Sequence, residues 1–134
     1  MGITDIAYKS GTSKVEHDYF RIYEQILSSE CKSLLEIGID QGGSAKMWRE
    51  FMPHADIWFL DLFNEFNASM EWCKSIGITP IQGSQSDMDV LKQVTRKFDV
   101  IIDDGSHNAY DQLVSLEYLF NNCLNDDGIY IIED

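Results

Sequence analysis

The run Asp103-Asp104-Gly105-Ser106-His107 carries two carboxylates and an imidazole, and the sequence closes on Glu133-Asp134. Clustered carboxylates repel one another unless a proton or a cation relieves them, and a hard divalent cation takes oxygen ligands of this kind. Asp104, Glu133 and Asp134 are therefore the candidate metal ligands. A solvated acidic rim is the alternative, because successive residues leaving a strand face opposite sides. His107 follows Asp104 by three positions. Beside a metal that acidifies a substrate hydroxyl, an imidazole titrating near neutrality suits a general base. His17 and His54 lack comparable neighbours.

A second constellation is Glu36-Ile37-Gly38-Ile39-Asp40-Gln41-Gly42-Gly43-Ser44. Its glycines allow a sharp turn and a close approach of backbone to a ligand at the start of the next helix. Asp61 ends a later apolar run, and a carboxylate there can accept both hydroxyls of a ribose. Glycine turn plus acid points to an adenosine-containing cofactor; a tight turn without ligand is the alternative. A dinucleotide fingerprint would read G-x-G-x-x-G, whereas the spacing here is Gly38-x-x-x-Gly42-Gly43. Gly83-Ser84-Gln85-Ser86-Asp87 reads as a polar turn and helix cap.

Hydrophobic periodicity supplies the elements that must position these groups. Strands are expected at Ser33 to Ile39, Ile57 to Leu62, Ile78 to Gln82, Phe98 to Asp103 and Gly128 to Ile132. Helices are expected over roughly 15–29, then at Ser44 to Met52 (stopped by Pro53), Ser69 to Ile76, Ser86 to Lys97 and Tyr110 to Leu124. In the last of these, Leu113, Leu116, Leu119 and Phe120 are expected to share one face. The alternation predicts an α/β fold with a doubly wound, mostly parallel sheet in the order 3-2-1-4-5 and an N-terminal helix. Ligands of such sheets bind beyond the carboxyl ends of the strands, where strand order reverses. Strands four and five would be neighbours there, bringing Asp104, Glu133 and Asp134 toward one point.

The 134 residues are 44% hydrophobic and 25% charged, the profile of one domain, 1–134. Ten basic residues against 23 acidic ones give a formal charge of −13, which disfavours nucleic acid and anionic lipid and attracts divalent cations. Cys31, Cys73 and Cys123 are odd in number and without CxxC pairing, so reduced thiols in a cytoplasmic protein are expected. The opening residues lack the apolar core of a signal peptide, and no apolar run approaches a membrane span.

These segments together resemble class I S-adenosylmethionine-dependent methyltransferases, in particular the metal-dependent macrolide and sugar O-methyltransferases of the mycinamicin and macrocin type. The resemblance rests on Gly11-Thr12-Ser13-Lys14, His17-Asp18-Tyr19, the Glu36–Ser44 loop with Trp48, Gly83–Asp87, Ile102–His107 with Gln112, and Gly128–Asp134. Asp40 stands where that loop often has glycine. The resemblance implies magnesium on Asp104, Glu133 and Asp134, His107 as base, and cofactor contacts from Glu36, Gly38, Gly42, Ser44, Asp61, Gln85 and Asp103. It also implies methyl transfer to a hydroxyl of a sugar or similar small molecule. Family members continue past the Glu-Asp pair into two further strands, so strand five is an edge here and self-association into a homo-oligomer is expected. Two other readings stay open: a truncated cofactor-binding module acting through partners, and, on fold analogy alone, a nicotinamide oxidoreductase.

Overall fold

The computed structural model describes residues 2–12, 14, 23, 24, 27 and 30–133. Most of the helix expected over 15–29, and Asp134, lie outside the described residues. Five parallel strands form one sheet in the order β3-β2-β1-β4-β5: β1 (Ser33–Ile37), β2 (Asp56–Asp61), β3 (Ile78–Gln82), β4 (Phe98–Asp103) and β5 (Leu124–Ile132). The helices are α1 (Ile3–Ser10), α2 (Gly43–Phe51), α3 (Met70–Ser75), α4 (Met88–Leu91) and α5 (Ala109–Asn122). The expected strand order and class hold, and an N-terminal helix not read from the sequence, Ile3–Ser10, precedes the segment 15–29 where one was expected.

All of β1 is buried, as befits a central strand covered on both faces. Because side chains alternate, Leu34, Ile57, Phe59, Val100 and Ile102 enter a core shared with Ile3, Ile6, Met47 and Trp48. Leu35, Leu60 and Ile101 enter the opposite core with Val90, Leu91 and Leu119. At the end of α2, Arg49 donates to the carbonyls of Met52, Pro53, Ala55 and Gly77, securing the turn into β2.

Two expected helices differ. The fourth covers only Met88–Leu91, not Ser86 to Lys97. Past it Gln93 and Val94 donate to carbonyls three residues back, and β-branched Val94 and Thr95 do not extend the helix. In α5 the buried residues are Ser115 and Leu119, while Leu113 and Phe120 are exposed. The expected face of three leucines and a phenylalanine is thus not one face: positions 115 and 119 are one turn apart and turn inward, and 113 and 120 flank the other side.

The chain runs outward from β1 to β3, returns to β4, and so reverses between β1 and β4. Ladder-like hydrogen bonds continue one residue past the strands: Gly38 N to Leu60 O, Gly83 N to Asp61 O, Asp104 N to Ile37 O and Glu133 N to Asp103 O, each 2.9 Å. The strand-end loops are therefore locked edge to edge. Gly38 shows how closely: its φ is +94°, and a Cβ there would collide with the Asp104 carbonyl. Gly38→Ala is expected to cost on the order of 3 kcal/mol, strain and overpacking combined. Urea unfolding checks this, and a loss below about 1 kcal/mol would contradict the packing described.

Candidate functional site

A cavity of about 760 Å³ opens at the carboxyl ends of the strands. Gly38, Ser44, Asp61, Gln85, Asp104 and His107 all line it. The loop after β1 turns through Gly38, Asp40 (φ +50°) and Gly42 (φ +91°). Asp40 thus takes the left-handed conformation that glycine would adopt, one of the few side chains to do so at modest cost. Asp61 braces this loop: one carboxylate oxygen accepts from Ile39 N at 2.9 Å, the other from Phe63 N at 2.8 Å. Each oxygen keeps a further lone pair with which to accept a ribose hydroxyl.

Gln85 is a strut rather than a simple cap residue. Its amide nitrogen donates to Asp103 (2.9 Å) and Ser115 (3.0 Å), and its oxygen accepts from Ser106 N at 2.9 Å. It ties the end of β4 to α5 and to the loop bearing the histidine. Asp103 is fully buried; it accepts from Gly105 N as well as from Gln85, and burial raises its pKa against the lowering effect of those two bonds. Glu36, Gly42, Asp103 and Glu133 are not among the cavity-lining residues. Gly42 makes the turn, since a Cβ there would meet the Trp72 ring at 2.7 Å.

His107 sits at φ +61°, a strained conformation for a residue with a side chain. Its Nδ1 lies 3.2 Å from the Glu133 carbonyl oxygen, and its Nε2 lies 3.5 Å from Asp104 Oδ1. A carbonyl oxygen only accepts, so Nδ1 carries the hydrogen in the neutral ring. That leaves Nε2 as the proton-accepting atom, on the side of Asp104.

The acidic residues do converge, but not as the sequence implied. Carboxylate oxygens of Glu36, Asp104 and Glu133 lie within 4.8 Å of one another. Asp134 is outside the described residues, and Glu36, expected at the cofactor, takes the third place. Its carboxylate is fully buried and accepts from Trp48 Nε1 (2.6 Å) and Ser44 Oγ (3.3 Å). Amid the three stands the ammonium of Lys14, 1% exposed: 3.0 Å from Glu36, 3.3 Å from Asp104 and in hydrogen-bond contact with Glu133. Tyr23 closes the cluster from behind, edge-on to Trp48 with ring centroids 5.1 Å apart. Lys14 is the residue sequence reasoning missed. One lysine near the start of an acidic chain has no spacing or periodicity that would relate it to strand ends about a hundred positions away.

The charge balance is lopsided: one ammonium serves three carboxylates. Burial works against the Lys14 charge, but attraction from Glu36, Glu133 and Asp104 outweighs it and raises the lysine pKa. Each acid receives only a share of that one cation. Burial therefore prevails over Lys14 at Glu36, pushed up to about 7, and burial likewise raises Glu133. Glu133 Oε1 is buried with no hydrogen-bond partner among the described residues. An all-oxygen donor set with an orphaned carboxylate oxygen fits a hard cation such as magnesium. Lys14 already engages one oxygen of each acid.

A carboxyl whose pKa is higher folded than unfolded stabilises the fold at low pH. For Glu36 that contribution is complete below its ordinary 4.5 and lost as pH rises through about 7. Without divalent cation, the melting temperature is expected to fall between about pH 5 and 8, and Glu36→Gln to reduce that slope. An unchanged slope in the variant would remove Glu36 as its source.

No protein-family model matches the chain. It is 35% identical over 133 residues to the 8-demethyl-8-(2-methoxy-alpha-L-rhamnosyl)-tetracenomycin-C 3'-O-methyltransferase of Streptomyces olivaceus, covering 92% of this chain and 31% of that protein. It is 34% identical over 111 residues to the mycinamicin VI 2''-O-methyltransferase of Micromonospora griseorubida, covering 75% of this chain and 26% of that one. Among solved structures, the MycE methyltransferase of the mycinamycin biosynthetic pathway, in complex with Mg and SAH, superposes with a TM-score of 0.70 at 29% identity. That match covers 100% of this chain and 35% of MycE. The chain thus spans about a third or less of the length of these relatives. Sequence and sheet topology agree: the chain has the fold of class I S-adenosylmethionine-dependent methyltransferases and is related to part of their macrolide and sugar O-methyltransferases.

Proposed function

We propose that the cavity binds S-adenosylmethionine and that the chain takes part in magnesium-assisted methyl transfer to a hydroxyl of a sugar or similar small molecule. One observation carries the reading. The cavity lined by Gly38, Asp61 and Gln85 adjoins Asp104 and His107, so a nucleoside site and a base share one rim. The relatives, named as O-methyltransferases, one of them of a rhamnosyl-tetracenomycin, and MycE, crystallised with Mg and SAH, support it.

When bound, S-adenosylmethionine supplies an electrophilic methyl on a sulfonium, and magnesium a Lewis acid that lowers the pKa of a coordinated hydroxyl. The chain's residues do the remainder. Asp61 holds the ribose with the lone pairs left free by Ile39 N and Phe63 N. The Gly38 turn admits the nucleoside close to the backbone. Asp104, Glu133 and Asp134 would hold the metal. His107, its Nδ1 fixed on the Glu133 carbonyl, would take the acceptor hydroxyl's proton at Nε2. Such catalysis is mostly positioning plus deprotonation.

His107→Ala is expected to bind S-adenosylhomocysteine within about threefold of the unaltered chain while losing at least about a hundredfold in methyl transfer. Calorimetry and transfer of labelled methyl to a sugar acceptor check the two halves; undiminished transfer would remove His107 from the mechanism. A second reading is a cofactor-binding module without methyl transfer, and Lys14 favours it: the acids already have a counterion, so a structural role accounts for them too. Bound S-adenosylhomocysteine with no divalent cation binding and no turnover would decide for this reading.

Self-association belongs to the same proposal. β5 ends the sheet order, and Ile129 and Ile132 on it are exposed, 36% and 39%. A strand in that position invites pairing with a further strand, of this chain or of another copy. Light scattering is expected to give a dimer or larger species; a monodisperse monomer would exclude it. No helix among the described residues is long and apolar enough to cross a membrane, and the three free thiols suit a reducing, cytoplasmic setting.

A further inference from the structure

The Lys14 ammonium contacts Glu36 Oε2, Asp104 Oδ2 and Glu133 Oε2, oxygens of all three clustered acids. A divalent ion coordinated by Asp104 and Glu133 would lie roughly 2–2.5 Å from their oxygens, in the volume that the ammonium occupies. Two cations that close, in a buried site, repel strongly. Glu133 Oε1, buried and without a hydrogen-bond partner among the described residues, is an oxygen that the lysine leaves unclaimed. The cluster therefore accommodates one cation or the other.

Lys14 also anchors a piece of backbone. Gly11 and Thr12 line the cavity, and Thr12 is buried. They lie directly on the start of α2: a Cβ at Gly43 would stand 2.7 Å from Thr12 Cα and 2.9 Å from its nitrogen. Lys14 N donates to Thr12 Oγ1 at 3.3 Å, so the side chain that reaches the acids and the backbone that lines the cavity are joined within three residues. A lysine, a point charge on a flexible stem, can leave such a site without breaking covalent geometry.

We propose that Lys14 is a built-in competitor for the divalent cation: loading Asp104 and Glu133 with a metal ion displaces the ammonium and loosens Gly11, Thr12 and Lys14 from the cavity rim. The inference rests on the divalent-cation reading above and adds a consequence to it. Cation loading and the closure of the cavity rim become one equilibrium. Apparent metal affinity is then lowered by the fraction of molecules whose lysine is withdrawn.

The test uses the full chain and manganese as probe. Free-ion electron paramagnetic resonance is expected to show Lys14→Met binding Mn2+ at least about tenfold more tightly than the unaltered chain, because the competing state is gone. Lys46→Met, which removes the same charge from a lysine over the Trp72 ring, is expected to change little. In the unaltered chain, MgCl2 is expected to speed hydrogen exchange in the peptide spanning 11–14. Equal or weaker Mn2+ affinity in a folded Lys14→Met, an equal gain in Lys46→Met, or no binding by any of the three proteins would overturn the proposal. So would Mg2+ that leaves exchange at 11–14 unchanged or slower, a measurement that needs no variant and decides the matter if Lys14→Met does not fold. Calorimetry with S-adenosylhomocysteine separates the two levels. Nucleoside binding without cation competition sinks only this inference, whereas competition without nucleoside binding sinks the methyltransferase reading and leaves the competition intact.

Discussion

Carboxylates cannot be gathered at the reversal of a parallel sheet unless a cation or protons relieve their repulsion, and this constraint governs the rest of the structure. β1 delivers Glu36, β4 delivers Asp104 and β5 delivers Glu133, and their oxygens converge within 4.8 Å. Two of the three side chains are buried almost completely. Left ionised and alone they would force the strand ends apart; neutralised, they draw them together. The Lys14 ammonium provides part of that neutralisation and, in doing so, fastens the segment ahead of β1 to the centre of the sheet. Breaking a buried pair by deleting one partner is costlier than the pair is stabilising, so the cluster fixes geometry more than it adds net stability.

The sheet was legible because its signals are local. Apolar runs bounded by glycine and proline mark strands and helices without reference to anything distant, and the alternation of the two dictates the strand order within a handful of possibilities. Gly38, Asp61, Gln85, Asp104 and His107 could be placed at the cavity for a related reason: each stands at or shortly after the end of a strand, where the crevice of such a sheet opens. Where the reading departed from the structure, the missing information was nonlocal. The α5 face could not be placed from four apolar residues because two lie at its exposed margins, and the inward positions include a serine whose hydroxyl serves Gln85. Lys14 could not be placed at all, since only the folded chain brings position 14 to positions 104 and 133.

Glu36 illustrates a subtler failure. A carboxylate opening a glycine loop reads naturally as a ligand group, yet Glu36 points its oxygens at Ser44, Trp48 and Lys14. Two of those partners belong to the helix that the loop begins. Its contribution to a bound nucleoside would therefore be indirect, through the path of the Gly38–Ser44 backbone and the position of α2. Asp40 makes the complementary point: a residue that departs from the family's glycine nonetheless adopts the left-handed backbone that the turn requires. The loop's conformation is set by contacts on both flanks, by Asp61 at Ile39 and by Trp72 beside Gly42, more than by the identity of every residue within it.

Glu133 joins the two halves of the site through different atoms. Its backbone nitrogen extends the β4–β5 ladder by donating to Asp103, its carbonyl accepts from His107 Nδ1, and its side chain meets Lys14. The first of these bonds positions the second: while β5 stays paired with β4, the carbonyl holds the imidazole with Nε2 toward Asp104. The third places the charge cluster on the same residue. Side chain and carbonyl of one residue thus face the charge cluster and the histidine respectively. The proposed base and the proposed cation site share a single residue at the end of β5, and His107 meets that carbonyl with its backbone at positive φ.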